Sequence, residues 1–446
     1  MLIISVSGLR GIVGDGLDPT VLSQYVQAVS ANLPSGKIIV SRDGRHSGKM
    51  LSQIVCGTLQ ACGRETVYAD VLSTPTHGVA IRAAQAAGGI QITASHNPAP
   101  YNGIKVFNDR GKVLSSEQGQ EIKKTMENAK LPWAPHNGIG TPTEENPFLE
   151  EHLRSVLGLV ETGPIIASKF RILLDSNAGA GGKLGKQLLE TLGCQVKILG
   201  HEANGHFLHR PEPTEENLRE VAQQAADGNY DLTFCQDPDA DRLAVIDEKG
   251  NYIGEEYTLA LCVEFILRTR KGAIVTNCST SRMTVDLAQK YGVPCFQSAV
   301  GEANVVALME EKQAVFGGEG SGGPIDPTIG YIRDSFVGMA LILALVAQEQ
   351  KPLSEIVATL PQYHIEKDSL TLSELGQLTR SLEKLEKHFS TASCNKTDGL
   401  RFDFDDSWLL VRASNTEPIV RAVAEAPDPN RARKLCQTAL DFIRKG

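Results

Sequence analysis

The sequence predicts an α/β protein with three related mixed-sheet α/β domains and a smaller C-terminal α+β domain. Two observations support this prediction. The chain has 446 residues, which is too long for one domain of ordinary size. One order of elements also occurs three times, each time as a β-branched strand, a turn of small residues and a helix. Strands that alternate with helices indicate βαβ units and therefore parallel or mixed sheets.

Each repeat contains three predicted strands, and the third is followed by the most unusual loop of its repeat. The strands are predicted at residues 37–40, 65–69 and 89–92, then at 171–174, 195–199 and 231–235, and finally at 273–276, 294–298 and 314–316. In such sheets, ligands gather beyond the carboxyl ends of the strands. We therefore expect the three loops to contribute to one site.

Four domains are predicted, at residues 1–135, 148–250, 251–362 and 368–446. The segment 131–147 has four prolines and resembles a linker, and further joints are expected near 250–256 and 360–368. The remainder does not repeat the earlier pattern. Its predicted elements are a helix at 372–389, strands at 408–411 and 419–425, a loop at 412–418 and a helix at 430–445.

Composition indicates a globular protein and disfavours some partners. Charged residues make up 22% and hydrophobic residues 41% of the chain. The net charge of −9 argues against nucleic acid and anionic membranes, which need a basic face. No apolar stretch is long enough to span a membrane, and the first residues resemble a strand more than a leader. Nine dispersed cysteines without a C-x-x-C pair favour reduced thiols in the cytoplasm. The sequence does not indicate an oligomeric state.

Three aspartates at alternate positions follow the third strand of the second repeat: Asp237, Asp239 and Asp241. If the loop curls, their carboxylates can converge on one hard cation and leave further positions for phosphate or water, as Mg²⁺ prefers. Without a cation, the three charges would repel one another. The alternative is a solvated acidic turn.

The loop at residues 93–98 contains a candidate nucleophile. Ser95 follows a predicted buried strand and precedes His96 and the helix-starting pair Asn97-Pro98. We expect its hydroxyl to lie at a helix N-terminus, where backbone N–H groups and the helix dipole stabilise phosphate. The alternative is an ordinary helix N-cap serine.

Two further loops have side chains suited to a phosphorylated sugar. Residues 412–416 combine a guanidinium, two hydroxyls and an amide, which suit a phosphate dianion, and Arg421 can add a second cation. The alternative is a polar hairpin loop. Glu319 and Ser321 lie in the glycine-rich segment 317–323, which suits hydrogen bonds to sugar hydroxyls. On their own, Arg10 and Lys105 would be ordinary surface cations beside glycines.

Together these motifs resemble those of the α-D-phosphohexomutases, in order and in spacing. The matching segments run from residue 8 to about 425 and read T-A-S-H-N-P, N-G-I-K-V-F, D-x-D-x-D-R, G-E-G-S-G-G and R-A-S-N-T-E-P. That family includes phosphoglucomutase, phosphomannomutase and phosphoglucosamine mutase. The resemblance implies four domains around a central cleft and an Mg²⁺ enzyme that moves phosphate between the 1- and 6-positions of a hexose. It also implies a hexose 1,6-bisphosphate intermediate, with glucose 1,6-bisphosphate or the cognate bisphosphate as activator.

The resemblance also implies a role for each matching residue. Ser95 would carry the phosphoryl group, with Mg²⁺ between it and the three aspartates. Arg242, Arg10 and Lys105 would neutralise charge near the transferring phosphate, with Lys105 also a candidate for proton transfer. Glu319 and Ser321 would hold sugar hydroxyls. The residues that would bind the phosphate that is not reacting are Arg412, Ser414, Asn415 and Thr416.

Two positions depart from the family pattern. Gly323 stands where many bacterial members have a histidine, so the acid/base role of that histidine falls to His96 or to water. Ala299 stands where many relatives have a basic residue. The motifs favour glucose and mannose phosphates as substrates, with glucosamine phosphate as the alternative. Two other interpretations are a serine-dependent metallophosphatase and a non-catalytic sugar-phosphate-binding protein.

Overall fold

The computed structural model describes residues 2–5, 8–128, 131–144, 146–371, 375–413 and 419–445; for residues 375–380 and 445 it describes the backbone alone. In these ranges the chain forms four sheets of eight, four, four and five strands, one in each domain. The first three sheets mix parallel and antiparallel pairs. This arrangement confirms the predicted fold class. Within the same ranges, no helix is both long and apolar enough to cross a bilayer.

The first domain is built on the largest sheet, in the order β1-β2-β7-β6-β4-β5-β8, with β3 beside β2. Its strands are β1 (Leu2–Ser5), β2 (Gly8–Val13), β3 (Gly16–Leu17), β4 (Ile38–Arg42), β5 (Thr66–Val71), β6 (Gly88–Ile92), β7 (Tyr101–Asn108) and β8 (Pro142–Glu144). Its helices are α1 (Pro19–Asn32), α2 (Gly48–Ala61), α3 (Thr74–Ala83) and α4 (Ser116–Asn128). Helix α1 begins after Asp18, whose carboxylate accepts the N–H groups of Thr20 and Val21.

The segment predicted as a linker is partly built into the first sheet. Its residues 142–144 form β8, which pairs in parallel with β5 at the sheet edge. A short 3₁₀ turn, His136–Gly138, precedes it. The prolines lie outside the ladder or at the start of β8, as expected for an edge strand, because proline cannot donate a ladder hydrogen bond.

The second and third domains repeat one four-stranded sheet. The second contains α5 (Phe148–Leu157), α6 (Thr162–Ser168), β9 (Arg171–Asp175), α7 (Gly182–Thr191), β10 (Gln195–Leu199), α8 (Arg219–Gly228), β11 (Leu232–Gln236) and β12 (Leu243–Ile246). The third contains α9 (Glu255–Thr269), β13 (Ile274–Asn277), α10 (Met283–Lys290), β14 (Cys295–Ser298), α11 (Glu302–Glu311), β15 (Phe316–Glu319), β16 (Gly323–Ile325), α12 (Ser335–Glu349) and α13 (Leu353–Ala358). The strand orders are β10-β9-β11-β12 and β14-β13-β15-β16.

Each repeat includes a fourth, antiparallel strand that the sequence analysis did not identify. In the first domain the same arrangement is β5-β4-β6-β7. The strands β7, β12 and β16 run back antiparallel to β6, β11 and β15. Each unusual loop is therefore a hairpin connection at the carboxyl end of a buried parallel strand, which is where ligands of such sheets bind.

The fourth domain is an antiparallel sheet in the order β17-β21-β20-β19-β18. Its elements are β17 (His364–Thr371), α14 (Leu375–His388), β18 (Ser393–Asn395), β19 (Leu400–Asp403), β20 (Trp408–Ala413), β21 (Ile419–Ala426) and α15 (Pro429–Lys445). Strand β17 begins at His364, inside the joint expected at 360–368. It pairs with β21 along its whole length, from His364 to Thr371, so these residues belong to the fourth sheet. The joint therefore ends earlier than the sequence indicated.

One hydrophobic core joins the first three domains. It includes Phe107 of the first, Phe234 of the second and Phe316 of the third, together with the apolar helix α12, which is buried from Ser335 to Ala347. Trp408 of the fourth domain packs with Cys278 in a smaller cluster. Because the shared core fixes the first three domains to one another, their hairpin loops are held in a defined arrangement.

His77 of α3 makes the stability of the first domain sensitive to acid. The side chain is fully buried, and its Nδ1 lies 2.7 Å from Ser41 Oγ. Burial lowers the pKa of His77 to about 3, against about 6.5 in an unfolded chain. Between these values only the unfolded chain binds the proton. The free energy of unfolding therefore falls as pH drops from about 6.5 toward 3, by up to about 1.4 kcal/mol per pH unit.

We expect His77→Gln to remove this part of the acid sensitivity. Urea unfolding of wild type and variant between about pH 7 and pH 4 measures it. The exposed His136 provides the control His136→Gln, which should keep the wild-type pH dependence. The same pH dependence in His77→Gln as in wild type would contradict the assignment.

Candidate active site

The hairpin loops of the first three domains meet at one place. Ser95 Oγ of the first loop donates a hydrogen bond of 3.1 Å to Asp237 Oδ2 of the second. The N–H of Leu243, which follows the second loop, donates to Gly322 O of the third loop at 2.8 Å. The loops therefore contribute to one site, as the sequence analysis expected.

Ser95 lies in the loop 93–100 between β6 and β7. The prediction that it lies at a helix N-terminus is wrong. The chain returns as antiparallel β7 from Tyr101, so no helix follows the Asn97-Pro98 pair. Ser95 has a left-handed backbone (φ +50°), and its side chain is buried. Its hydroxyl nevertheless faces the second loop and lies 3.2 Å from His96 Nδ1. No helix that begins in this loop therefore supplies backbone donors to the hydroxyl, and its described partners are Asp237 and His96.

Arg45, which the sequence analysis did not single out, holds the Ser95 loop. Its Nη2 donates to the carbonyl oxygens of Ser95 and Asn97, both at 2.6 Å. Its Nη1 donates to the carbonyl oxygens of Pro98 and Tyr101 at 2.9 and 3.0 Å. One buried guanidinium thus satisfies four loop carbonyls, which fixes the position of the serine.

A series of hydrogen bonds that starts at Asp43, directly after β4, also supports the Ser95 loop. Asp43 pairs with Arg45 Nε at 3.1 Å, and its Oδ2 also accepts from Thr93 Oγ1 at 2.7 Å. Thr93 Oγ1 in turn accepts the N–H of Ser95 at 2.9 Å. The turn at 41–44 had been identified only as a small-residue turn. Its contribution to the site depends on contacts about 50 residues along the chain.

The three aspartates form a site that fits a hard cation. One carboxylate oxygen from each of Asp237, Asp239 and Asp241 lies within 4.8 Å of the others, and all three side chains are fully buried. The loop curls because Asp237 Oδ1 accepts the N–H groups of Asp241 and Arg242, both at 3.1 Å. Among the described residues, Asp239 Oδ1 and Asp241 Oδ1 have no hydrogen-bond partner. Buried oxygen atoms without donors fit Mg²⁺, which binds oxygen ligands.

The buried ammonium of Lys105 partly compensates the negative charge of the three aspartates. Burial, followed by repulsion from Asp239 and Asp241, raises the pKa of Asp237 well above its usual value. Burial acts in the same direction on Asp239, but the Lys105 ammonium outweighs it and lowers the pKa of that carboxyl. Lys105 Nζ lies 2.6 Å from Asp239 Oδ2 and 2.8 Å from Asp241 Oδ2. These carboxylates outweigh burial at Lys105 and raise its pKa, so the ammonium stays charged.

Two arginines and a neutral histidine complete the surroundings of Ser95. Arg10 of β2 donates from Nη1 to Asn97 Oδ1 at 2.7 Å. Arg242 Nε lies 4.0 Å from Asp241 Oδ1. Burial, with the charges of Arg242 and Arg10, lowers the pKa of His96 to about 2. His96 is therefore a neutral hydrogen-bonding group at ordinary pH.

Helix α3 of the first domain also contacts residues 237–242, the loop that contains the three aspartates and is called the metal loop below. Thr74 Oγ1 donates to Asp239 Oδ2 at 2.6 Å, and the Thr74 N–H donates to Asp239 O at 2.8 Å. Two residues further along α3, Thr76 Oγ1 lies 2.9 Å from His152 Nδ1, and His152 Nε2 lies 2.7 Å from Asp334 Oδ2. This line of side chains connects the first three domains beside the site. Thr74, Thr76, His152 and Asp334 were not identified from the sequence.

The third loop presents Glu319 and Ser321. Glu319 lies at the end of β15, where Oε1 accepts from Asn277 Nδ2 at 2.8 Å and from the Gly301 N–H at 3.2 Å. Its Oε2 accepts from Arg333 Nη1 at 2.9 Å. Ser321 lies in the turn that follows and is partly exposed. Arg333 was not identified from the sequence.

The fourth domain brings two of the predicted phosphate-binding cations together. Arg412 lies at the end of β20 with its Nε 3.2 Å from Asp398 Oδ2, and it is directly opposite Arg421 of β21. Residues directly opposite in an antiparallel pair have side chains on the same face. The other three residues of this predicted loop, Ser414, Asn415 and Thr416, lie outside the described residues.

Comparison with known proteins identifies the family. Three phosphoglucomutase/phosphomannomutase alpha/beta/alpha domain families match residues 2–132 (domain I), 150–250 (domain II) and 254–363 (domain III). The C-terminal domain family of the same group matches residues 371–441.

Similar proteins cover nearly the whole chain. A "Probable phosphoglucosamine mutase" of Methanosarcina barkeri is 32% identical over 99% of this chain and 100% of its own length. A "Phosphoglucomutase/phosphomannomutase" of Thermococcus kodakarensis is 31% identical over 98% and 97%. A crystal structure of a phosphoglucomutase/phosphomannomutase family protein from Burkholderia thailandensis superimposes with a TM-score of 0.87 at 26% identity, covering 100% of this chain and 99% of that one. The chain therefore belongs to the phosphoglucomutase/phosphomannomutase family of Mg²⁺-dependent phosphomutases, which are intramolecular phosphotransferases.

Proposed function

We propose that the chain interconverts hexose 1-phosphates and hexose 6-phosphates by passing a phosphoryl group through Ser95. One observation carries the proposal: Ser95 Oγ lies 3.1 Å from Asp237 Oδ2, beside three buried carboxylates that can share a cation. Phosphoryl transfer needs mainly positioning and charge neutralisation. The site supplies both, because Arg10, Lys105 and Arg242 surround the same loops.

The reaction consists of two transfers of opposite direction. In the first, the bond between Ser95 Oγ and phosphorus breaks while a bond forms from phosphorus to the oxygen of the free sugar hydroxyl; the proton of that hydroxyl ends on Ser95 Oγ, and the sugar becomes a 1,6-bisphosphate. After the bisphosphate turns, its other phosphoryl group returns to Ser95 Oγ, and the serine proton ends on the sugar oxygen that is released. When bound by the three aspartates, Mg²⁺ supplies charge neutralisation to the transferring phosphoryl oxygens.

Side chains of the protein can stabilise the leaving oxygen, neutralise the phosphate charge and hold the sugar. Neutral His96 lies within hydrogen-bond distance of Ser95 Oγ and can stabilise that oxygen as the phosphoryl group leaves. Lys105, whose raised pKa keeps the ammonium charged, can neutralise the charge of the reacting phosphate. Glu319 is held by Asn277 and Arg333 in a fixed orientation, which suits a hydrogen bond to a sugar hydroxyl.

Arg412 and Arg421 would bind the phosphate that is not reacting. A fixed distal phosphate site allows either sugar phosphate to occupy the same position, so one site serves both transfers. A phosphatase would not need such a site. With hexose 1-phosphate, Mg²⁺ and a trace of hexose 1,6-bisphosphate, the chain should therefore form hexose 6-phosphate. Steady release of inorganic phosphate instead would favour the phosphatase interpretation.

The proposal also concerns which hexose phosphate the chain prefers. The motifs favour glucose and mannose phosphates. The glucosamine alternative is supported by a carboxylate beside residues 317–323, the segment that contains Glu319 and Ser321 and is called the sugar loop below. A Cβ added to Gly320 would lie 2.1 Å from each carboxylate oxygen of Glu256, so this side chain lies directly against the loop. Glu256 Oε2 also accepts the Ser281 N–H at 2.9 Å. Burial raises the pKa of Glu256 to about 8, and a cation beside the group would lower that pKa and favour the carboxylate. The 2-ammonium group of glucosamine is such a cation, and the Methanosarcina barkeri relative is named for that sugar.

A substrate panel with one variant tests the choice of hexose. We expect kcat/KM for glucosamine 1-phosphate to exceed that for glucose 1-phosphate and mannose 1-phosphate, and Glu256→Gln to reduce this preference about tenfold, the equivalent of about 1.4 kcal/mol. The exposed Glu355 gives the control Glu355→Gln, which should keep the wild-type ratio. A wild-type preference for glucose or mannose 1-phosphate would instead support the assignment made from the motifs.

The cellular setting is proposed from the cysteines. All nine lie within the described ranges and none forms a disulfide. Unpaired thiols in this number favour the reducing cytoplasm, where sugar phosphates are the expected partners.

A further inference from the structure

Arg333 lies where the sugar loop meets the metal loop. Its side chain is 9% exposed and contacts three carboxylates. Nη2 lies 2.7 Å from Asp241 Oδ2, Nη1 lies 2.9 Å from Glu319 Oε2 and Nε lies 3.3 Å from Glu302 Oε2. One guanidinium therefore connects a predicted metal ligand of the second domain with a predicted sugar ligand of the third.

The stem of Arg333 fills the space beside Gly323. A Cβ added to Gly323 would lie 2.4 Å from Arg333 Cδ and 2.8 Å from Cγ, closer than real Cβ contacts. A side chain at 323 and the present position of Arg333 therefore exclude each other. Gly323, which stands where many bacterial members have a histidine, leaves room for the Arg333 side chain. The polar group at this point of the sugar loop is therefore supplied by residue 333 and not by residue 323.

The contacts of Arg333 also determine which oxygen of Asp241 is left for a cation. Asp241 Oδ2 is held by Lys105 at 2.8 Å and by Arg333 at 2.7 Å. Its Oδ1 has no hydrogen-bond partner among the described residues. Two cations on one oxygen fix the carboxylate's rotation, which keeps the other oxygen available as a ligand.

We propose that Arg333 is a positioning residue that couples sugar binding to metal binding, by orienting Glu319 and Asp241 with the same guanidinium. The proposal rests on the proposed function, because it assigns those two carboxylates to sugar and metal. It predicts that a change at Arg333 weakens both kinds of binding together. A merely structural arginine would change thermal stability and leave both affinities alone.

Arg333→Lys tests this coupling with the charge retained. A single ammonium cannot reach three carboxylates, so we expect kcat to fall about 10- to 100-fold, with KM for the sugar phosphate and Kd for Mg²⁺ each rising several-fold. Calorimetry measures Mg²⁺ affinity without turnover, and thermal denaturation reports folding. The control is Arg270→Lys, since Arg270 pairs with Asp326, which follows the end of β16 opposite to Gly323.

A wild-type KM and Mg²⁺ affinity in Arg333→Lys, with only Tm lowered, would overturn the coupling. The calorimetric result also separates this proposal from the proposed function. A wild-type chain without mutase activity would defeat the proposed function, while weaker Mg²⁺ binding in Arg333→Lys would still support the link between Arg333 and Asp241.

Gly323→Ala gives a second, independent test. The added Cβ must displace Arg333, so this variant should reproduce the losses of Arg333→Lys, and the double variant should lose no more than about twofold beyond either single change. The control is Gly57→Ala in α2, where nothing lies within 4 Å of the added atom. Losses that multiply in the double variant would show that the two positions act separately, against the proposal.

Discussion

A Ser95→Ala variant is expected to lose mutase activity by about 1,000-fold or more, because the change removes the oxygen that would carry the phosphoryl group, 3.1 Å from Asp237 Oδ2. Its affinity for sugar phosphate should stay within about tenfold of wild type, since binding depends on the cations and the sugar loop. A coupled assay measures turnover, and calorimetry with hexose 6-phosphate measures binding. A variant with full turnover would defeat the phosphoserine assignment.

The variant should fold, because the serine side chain does not hold its own loop. Arg45 binds the loop through carbonyl oxygens, and Thr93 Oγ1 accepts the backbone N–H of residue 95. Both sets of contacts survive the change to alanine. The exposed Ser168, which bonds only to a carbonyl of its own helix, gives the matched control Ser168→Ala, which should keep wild-type turnover.

Asp239→Asn is expected to lower kcat by about 100-fold or more and to weaken Mg²⁺ binding in parallel, because each charged ligand contributes to several kcal/mol of charge stabilisation. The change also removes the ion pair with Lys105 Nζ at 2.6 Å. Activity titrated with Mg²⁺, together with calorimetric Mg²⁺ binding, checks the result.

The exposed Asp227 of α8 in the same domain gives the control Asp227→Asn, which should behave as wild type. A normal Mg²⁺ affinity in Asp239→Asn, with activity lost, would indicate that the carboxylate serves Lys105 rather than a metal. Equal Mg²⁺ dependence and turnover in variant and wild type would count against the metal loop altogether.

The sequence predicted the parallel strands well because their signal is local. Strand β9 contains the apolar run Ile172–Leu174, and β11 is largely apolar from Leu232 to Cys235. The short return strands β12 and β16 have four and three residues, too few for a periodic pattern. The expected helix after Ser95 failed for a related reason: long-range pairing of β7 with β6 and β2 overrides the local helix-start signal of Asn97-Pro98.

The sequence predicted the site residues that lie within short motifs. It did not predict the residues that reach the site from distant parts of the chain. Ser95 and the three aspartates lie within short motifs that the sequence shows directly. Arg45 reaches a carbonyl 50 residues away, Thr74 reaches a carboxylate 165 residues away and Arg333 reaches one 92 residues away. Nothing local marks these contacts, because they exist only once the domains share a core.

The most direct test is to follow the phosphoryl group itself. Purified chain is incubated with Mg²⁺ and hexose 1,6-bisphosphate, quenched, and mapped by peptide mass spectrometry, with a second sample chased with hexose 1-phosphate before quenching. The account predicts one phosphoryl group on the peptide that contains Ser95, and its transfer to sugar during the chase. Phosphate on a different residue, or phosphate on Ser95 that hexose 1-phosphate does not remove, would contradict it.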